Sequence, residues 1–175
     1  QQMAADSKLK DKDLSFIRNY AAGGDAISIG AEKTVNEFLA AHNVEYPMAK
    51  GYGMTEVSSA ATCAAGKNNK LGSVGIPLVN TLVSVFEPDT EKELPIGERG
   101  ELCISGPTMM KCYYNKPAET AAILRTHEDG RVWVHTGDIG YMDEDGFVYL
   151  DSRIKRLIIR HDGFKVFPSR SEEHT

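Results

Sequence analysis

Residues Lys50 to Ser59 read KGYGMTEVSS, and the central GYGMTE brings two glycines, an aromatic ring, a hydroxyl and a carboxylate together. Gly51 and Gly53 would let backbone approach a ligand closely. A helix beginning after Glu56 would aim orphan N–H groups and the positive end of its dipole at an anion such as phosphate. Thr55 could then donate its hydroxyl to a phosphate oxygen, and Glu56 could hold a magnesium ion bridging that phosphate. The same residues also make a tight turn capped by Thr55 with Glu56 exposed, and the stretch alone does not separate the two.

A second cluster, HTGD, runs from His135 to Asp138. At a strand end, Asp138 could accept hydrogen bonds from the two hydroxyls of a ribose, as acidic residues do in dinucleotide sites; the alternative is an Asx-type turn. His135 fills a strand position, with no Ser or Cys placed to make it part of a catalytic triad. DEDG, Asp143 to Gly146, lacks the alternating oxygen ligands of a calcium loop and reads as a hairpin turn. Arg153, Lys155, Arg156 and Arg160 form a basic hairpin that either meets phosphate or lies on a solvated face. Neither a P-loop pattern nor G-x-G-x-x-G occurs.

These residues need elements to position them. Residues 14–29 read as a short strand, a Gly23-Gly24 turn and a second apolar run. Val35, Phe38, Leu39 and His42 fall at helical spacing, which predicts a helix over roughly 31–42. YPMAKGY reads as a short buried strand, NTLVSVFE and GELCIS as strands, and PDTEKELPIGERG between them as turns. Pro117 suits the first turn of a helix through AETAAILR. EDGRVWVHTGD, YMDEDGFVYL and RLIIRHDGFKVFP each place a D-G turn beside β-rich residues and read as hairpins. An α/β portion is thus followed by a β-rich unit.

With 175 residues, 41% of them hydrophobic, the chain can bury the core of an ordinary domain. Its net charge of -5 argues against general nucleic-acid or anionic-membrane binding. No apolar run is long enough to span a bilayer, and the polar opening QQMAADSKLKDKD is unlike a secretory signal. Cys63, Cys103 and Cys112 lack metal-ligand spacing and are expected to be reduced, in a cytoplasmic protein.

The order of seven motifs says more than any one of them. GGDAIS, GYGMTE, GSVGIP, GERGELCISGP, YYNKPAET, HTGDIGYMDEDGFVYLDSR and LIIRHDGFKVFPS follow one another between Leu14 and Ser169. This series resembles the adenylate-forming superfamily of acyl-CoA synthetases, aryl-CoA ligases, luciferases and peptide-synthetase adenylation domains. The resemblance implies an α/β fold: residues 1–152 as the C-terminal part of a large AMP-binding domain with a mixed sheet and a barrel-like β subdomain, and 153–169 as the hinge and opening hairpin of a small domain. Residues 170–175, RSEEHT, depart from the family and read as a non-native tail, the translation of a common sequencing-adapter start.

By the same resemblance Tyr52 lies against adenine, Thr55 contacts the α-phosphate, and Glu56 is the Mg²⁺ carboxylate; Thr55 and Glu56 are the catalytic pair. Gly53 and Met54 belong to the same nucleotide-binding run. Gly24 and Asp25 border adenine and the acyl pocket, Asp138 binds the ribose, Arg153 shares a ribose or phosphate contact, and Leu150 flanks the nucleotide. Lys155 is the hinge, and Gly163 with Lys165 lies by the CoA channel. The implied reaction joins a small carboxylic acid to coenzyme A through an acyl-AMP made from ATP. Two alternatives stand beside it: a peptide-synthetase adenylation domain loading a carrier-protein thiol, and a non-catalytic nucleotide-binding scaffold. The Ser/Thr/Gly-rich loop for the β- and γ-phosphates and the late adenylation lysine do not occur in these residues, so the chain is expected to be a fragment that is inactive alone.

Overall fold

The structure is a computed structural model that describes residues 9–24, 27–154, 158–159 and 165–166, the last four as strand backbone alone. Asp25, Lys155, Gly163, the tail 170–175 and the side chain of Lys165 lie outside the described residues.

The first sheet is mixed, with strand order β1-β2-β3-β4. Strand β1 (Ala21–Ala22) runs parallel to β2 (Ala49–Met54), with Ala21 opposite Ala49. The strand expected in the 14–22 region is only these two residues, because Gly23 and Gly24 end it at once. Between the two strands lies helix α1 (Ile29–Ala41). Ser28 caps it by accepting from Ala31 N at 3.2 Å. Val35, Phe38 and Leu39 pack with Leu14, Val44 and Met48 in one core, and the His42 ring stands 4.0 Å from that of Phe38. The predicted helix is thus present, two residues longer at its start.

A buried ion pair ties α1 to the sheet. Lys50 of β2 donates to the Glu32 carboxylate and to Lys70 O at 2.9 Å, while the other Glu32 oxygen accepts Gly72 N at 3.0 Å. Both side chains are almost wholly out of water, so their mutual partners offset a large desolvation cost.

After Glu56 the structure departs from expectation. No helix follows: Thr55–Val57 form one 3₁₀ turn, and β3 (Ser59–Ala64) then returns antiparallel to β2. The segment SSAATCA carries small and β-branched residues without a helical apolar repeat. Ala61 and Ala64 bury instead as strand residues. The anion site at a helix N-terminus therefore does not exist. Strand β4 (Ile76–Pro77) closes this sheet against β3.

The second sheet comprises β5 (Leu82–Phe86), β6 (Gly100–Ser105), β7 (Leu124–Thr126), β8 (Val132–Met142) and β9 (Val148–Arg153). Helix α2 (Pro117–Ile123) opens on its proline, as predicted, and runs directly into β7. The order is β5-β6-β8-β7, with β9 also on β8, so the barrel-like unit is an open sheet among the described residues. Backbone bonds between Val74, Gly75 and Val148 join the two sheets. One core spans both: Tyr52, Val57 and Ala61 pack with Val83, Val85, Leu102, Ile104, Val134 and Val148. On the other face of the second sheet Phe86, Cys103 and Trp133 form a smaller cluster. Strands β10 (Ile158–Ile159) and β11 (Lys165–Val166) make the expected last hairpin.

Replacing Glu32 by Ala strands Lys50 and is expected to cost about 3–5 kcal/mol in urea unfolding, whereas the paired change Glu32→Leu with Lys50→Met should regain more than half of it.

Candidate functional site

Gly51 to Thr55 of the GYGMTE run line an open cavity of about 700 Å³ together with Ala21 to Gly24 and Ser58 to Ala60, and Glu56 lies just outside that lining. The volume is within the usual range for small-ligand sites. Of the residues singled out from sequence, Gly24, Gly51, Tyr52, Gly53, Met54 and Thr55 all line it. Parallel pairing of β1 with β2 is what brings the Gly23-Gly24 turn beside Gly51.

The glycine at position 53 serves the hairpin itself. A Cβ there would lie 1.7 Å from Ser59 O, where β2 and β3 shift register. Close approach of backbone to backbone, rather than to a ligand, requires this glycine. Ser58 and Ser59 complete the turn at φ 59° and 115°, a region that costs non-glycine residues energy and recurs at ligand clamps. Ser58 Oγ anchors the turn on Thr108 O at 2.8 Å.

Thr55 is exposed at the rim, and Glu56 is half-buried beside it. The Tyr113 hydroxyl donates to Glu56 Oε1, and Met110 N donates to Glu56 O at 2.7 Å. The hydrogen bond to the Glu56 carboxylate pushes the Tyr113 phenol up to about 12. Tyr113 is a site residue that its local sequence signals only through the YYNKPAET motif, where Thr120 Oγ1 accepts from Tyr113 N at 3.0 Å and fixes the tyrosine.

Asp138, 86 residues further along the chain, reaches the Tyr52 hydroxyl from behind the cavity and is not among its lining residues. It accepts the Tyr52 hydroxyl at 2.7 Å on Oδ2 and faces Arg153 Nε at 3.0 Å on Oδ1. Burial, with the Asp138 charge beside it, holds the Tyr52 phenol far above its ordinary value, so Tyr52 is the donor at any physiological pH. Asp138 lies inside β8 rather than at its end, directly across from Arg153 of β9. Leu150, on β9, is half-buried against the shared core.

Behind Asp138, on the other face of β6, Glu101 Oε2 accepts from His135 Nδ1 at 2.8 Å, and His135 Nε2 meets His127 Nε2 at 2.9 Å. Glu101, Cys103 and His135 place ligand-type atoms within 4.8 Å of one another. Their chemistry is that of a hydrogen-bond chain: Glu101 and His135 are committed to each other, and burial pushes the Cys103 thiol up, away from the thiolate that metals take.

The pattern of the AMP-binding enzyme family matches residues 1–114. The chain belongs to the AMP-binding enzyme family. It is 38% identical over 168 residues to a long-chain-fatty-acid–CoA ligase of Bacillus subtilis (strain 168), a match covering 95% of this chain and 28% of that protein. It is 39% identical over 171 residues to a probable 4-coumarate–CoA ligase 1 of Dictyostelium discoideum, covering 97% of this chain and 30% of that protein. Its fold superposes on ATP-bound MatB from Rhodopseudomonas palustris with a TM-score of 0.83 and 28% identity, covering 98% of this chain and 32% of MatB. The chain therefore spans under a third of the length of the curated relatives it matches. Its α/β architecture is that of the adenylate-forming enzymes.

The Tyr113–Glu56 contact has a measurable signature. A phenol whose folded pKa lies above its unfolded value gives stability that is whole below pH 10 and is lost as pH rises through about 12. Absorbance titration at 295 nm should show one phenol ionising near 12; Tyr113→Phe should remove it, and Glu56→Gln should return it toward 10.

Proposed function

We propose that this chain is the AMP-holding part of an ATP-dependent acid:CoA ligase. One observation carries the reading: the fold brings the Asp138 carboxylate behind Tyr52, a wall residue of the glycine-lined cavity. A π-face, a hydroxyl, a carboxylate for the metal and a diol acceptor are the groups that hold AMP. The relatives that are CoA ligases support coenzyme A as the thiol substrate over a carrier protein.

In this reading adenine lies in the cavity along Tyr52 and the Gly23-Gly24 turn. Tyr52 cannot rotate freely, because Asp138 holds its hydroxyl. A carboxylate offers about four acceptor positions, so Asp138 can serve Tyr52, Arg153 and the ribose hydroxyls together. Thr55, at the exposed rim, reaches the α-phosphate. Glu56 suits Mg²⁺: it is half in water, and only one of its oxygens bonds Tyr113, which matches an ion that uses one or two carboxylates beside phosphate. When bound, Mg²⁺ would neutralise phosphate charge. The substrate carboxylate attacks the α-phosphorus, pyrophosphate leaves, and the thiol of coenzyme A then displaces AMP. The protein contributes mainly position and charge.

Residues 1–152 are assigned to the large domain and 153–169 to the hinge and small domain, with Lys155 the hinge and Gly163 and Lys165 at the CoA channel. The chemistry is expected in a cytoplasmic setting; no described helix is long and apolar enough to cross a membrane. The 175 residues alone are expected to bind nucleotide without ATP–pyrophosphate exchange, lacking the β,γ-phosphate loop and late lysine.

Calorimetric titration tests the reading. AMP should bind the chain at least about tenfold tighter than 2′,3′-dideoxy-AMP, since a hydrogen bond to a charged group is worth roughly 1.5–3 kcal/mol. Asp138→Ala should erase that difference. Equal binding of the two nucleotides to the unmodified chain would refute the assignment of Asp138.

A further inference from the structure

The carboxylate of Asp138 points at Tyr52 because β8 is deformed just before it. Glu101 pairs with Ile139 and Cys103 with His135, so Thr136, Gly137 and Asp138 together stand opposite Leu102. Such a bulge takes backbone groups out of the ladder and re-aims a side chain. Here two side chains satisfy the displaced amides. Thr136 Oγ1 donates to Leu102 O at 2.7 Å and accepts Asp138 N at 3.0 Å. Glu101 Oε1 accepts Gly137 N at 2.9 Å. Gly137 sits at φ +70°, a conformation that L side chains rarely adopt.

Glu101 is 4% exposed, and a buried carboxylate persists only with full partnership. Its two oxygens are divided between Gly137 and His135. His135 Nδ1–H donates to it, which leaves His135 Nε2 to accept from His127 Nε2–H; the network assigns these tautomers. By strand alternation Glu101 and Cys103 project away from Leu102 and Ile104, which pack with Tyr52. Glu101 therefore does not line the cavity, and its influence on a ligand has to pass through the bulge.

We propose that Glu101 is a positioning residue for the nucleotide site, clamping Gly137 N–H so that the β8 bulge holds Asp138 at Tyr52 and at the ribose. This rests on the reading of Asp138 as the diol acceptor. The decisive property is an oxygen at the right reach, not the charge.

Two variants separate these. Glu101→Gln keeps an oxygen for Gly137 and should retain the preference for AMP over 2′,3′-dideoxy-AMP. Glu101→Asp keeps the charge but withdraws it by one methylene, and should lose at least about tenfold of that preference, the size of effect seen for outer-shell partners of ligands. A role in charge balance alone ranks them oppositely. Thermal melts of each variant accompany the titrations, and either variant decides alone if the other does not fold. A folded Glu101→Gln without the preference, or a folded Glu101→Asp with all of it, overturns the clamp. If the unmodified chain binds both nucleotides equally or neither, the Asp138 reading itself fails and this inference falls with it. Without nucleotide, the midpoint shift caused by Tyr52→Phe should shrink by half or more in Glu101→Asp; an unchanged shift overturns the clamp.

Discussion

The hydrogen bond from Tyr52 to Asp138 is the constraint on which the site depends. It joins β2 of the first sheet to β8 of the second. The surrounding core explains why this bond is rigid. Tyr52, Val57 and Ala61 pack on Leu102, Ile104, Val134 and Val148 with almost no exposed surface, and Val148 exchanges backbone bonds with Val74 and Gly75. A polar bond inside such packing is strong, and removing one partner leaves the other unpaired out of water.

From that bond the rest of the arrangement follows in both directions. On the β2 side, Gly53 allows the hairpin to close against Ser59, and the strained Ser58-Ser59 turn presents Thr55 and Glu56 at the rim. On the β8 side, the bulge at Gly137 turns Asp138 inward while Arg153 meets it across the β8–β9 pair. The α1 helix contributes from a distance. Its buried Glu32 holds Lys50 at the start of β2, and so fixes where the GYGMTE run begins.

Much of this was legible in the residues. The D-G hairpins, the strands at Leu82–Phe86 and Gly100–Ser105, the helix begun by Pro117 and the apolar face of α1 follow from local turn chemistry and periodicity. Tyr52, Asp138 and Arg153 were picked out as candidates, and the fold brings them together. After Glu56 the local sequence points to a helix that does not form, because a strand-to-helix turn and a hairpin turn share glycine and hydroxyl residues. The decision rests on Ala61 and Ala64 burying in the tertiary core, which no local signal reports. Asp138 was placed at a strand end for a similar reason: Gly137 looks like a terminator locally, but a bulge satisfied by Glu101 lets β8 run on. Tyr113 and Glu101 were invisible because their partners lie 57 and 36 residues away.

The central claim, that the cavity walled by Tyr52 and backed by Asp138 receives AMP, is tested most directly by nuclear magnetic resonance of the isotopically labelled chain titrated with AMP. The account predicts saturable amide shifts at Ala22 to Gly24, Gly51 to Thr55 and Gly137 to Asp138. Shifts confined to other residues, or none at saturating AMP, would contradict it.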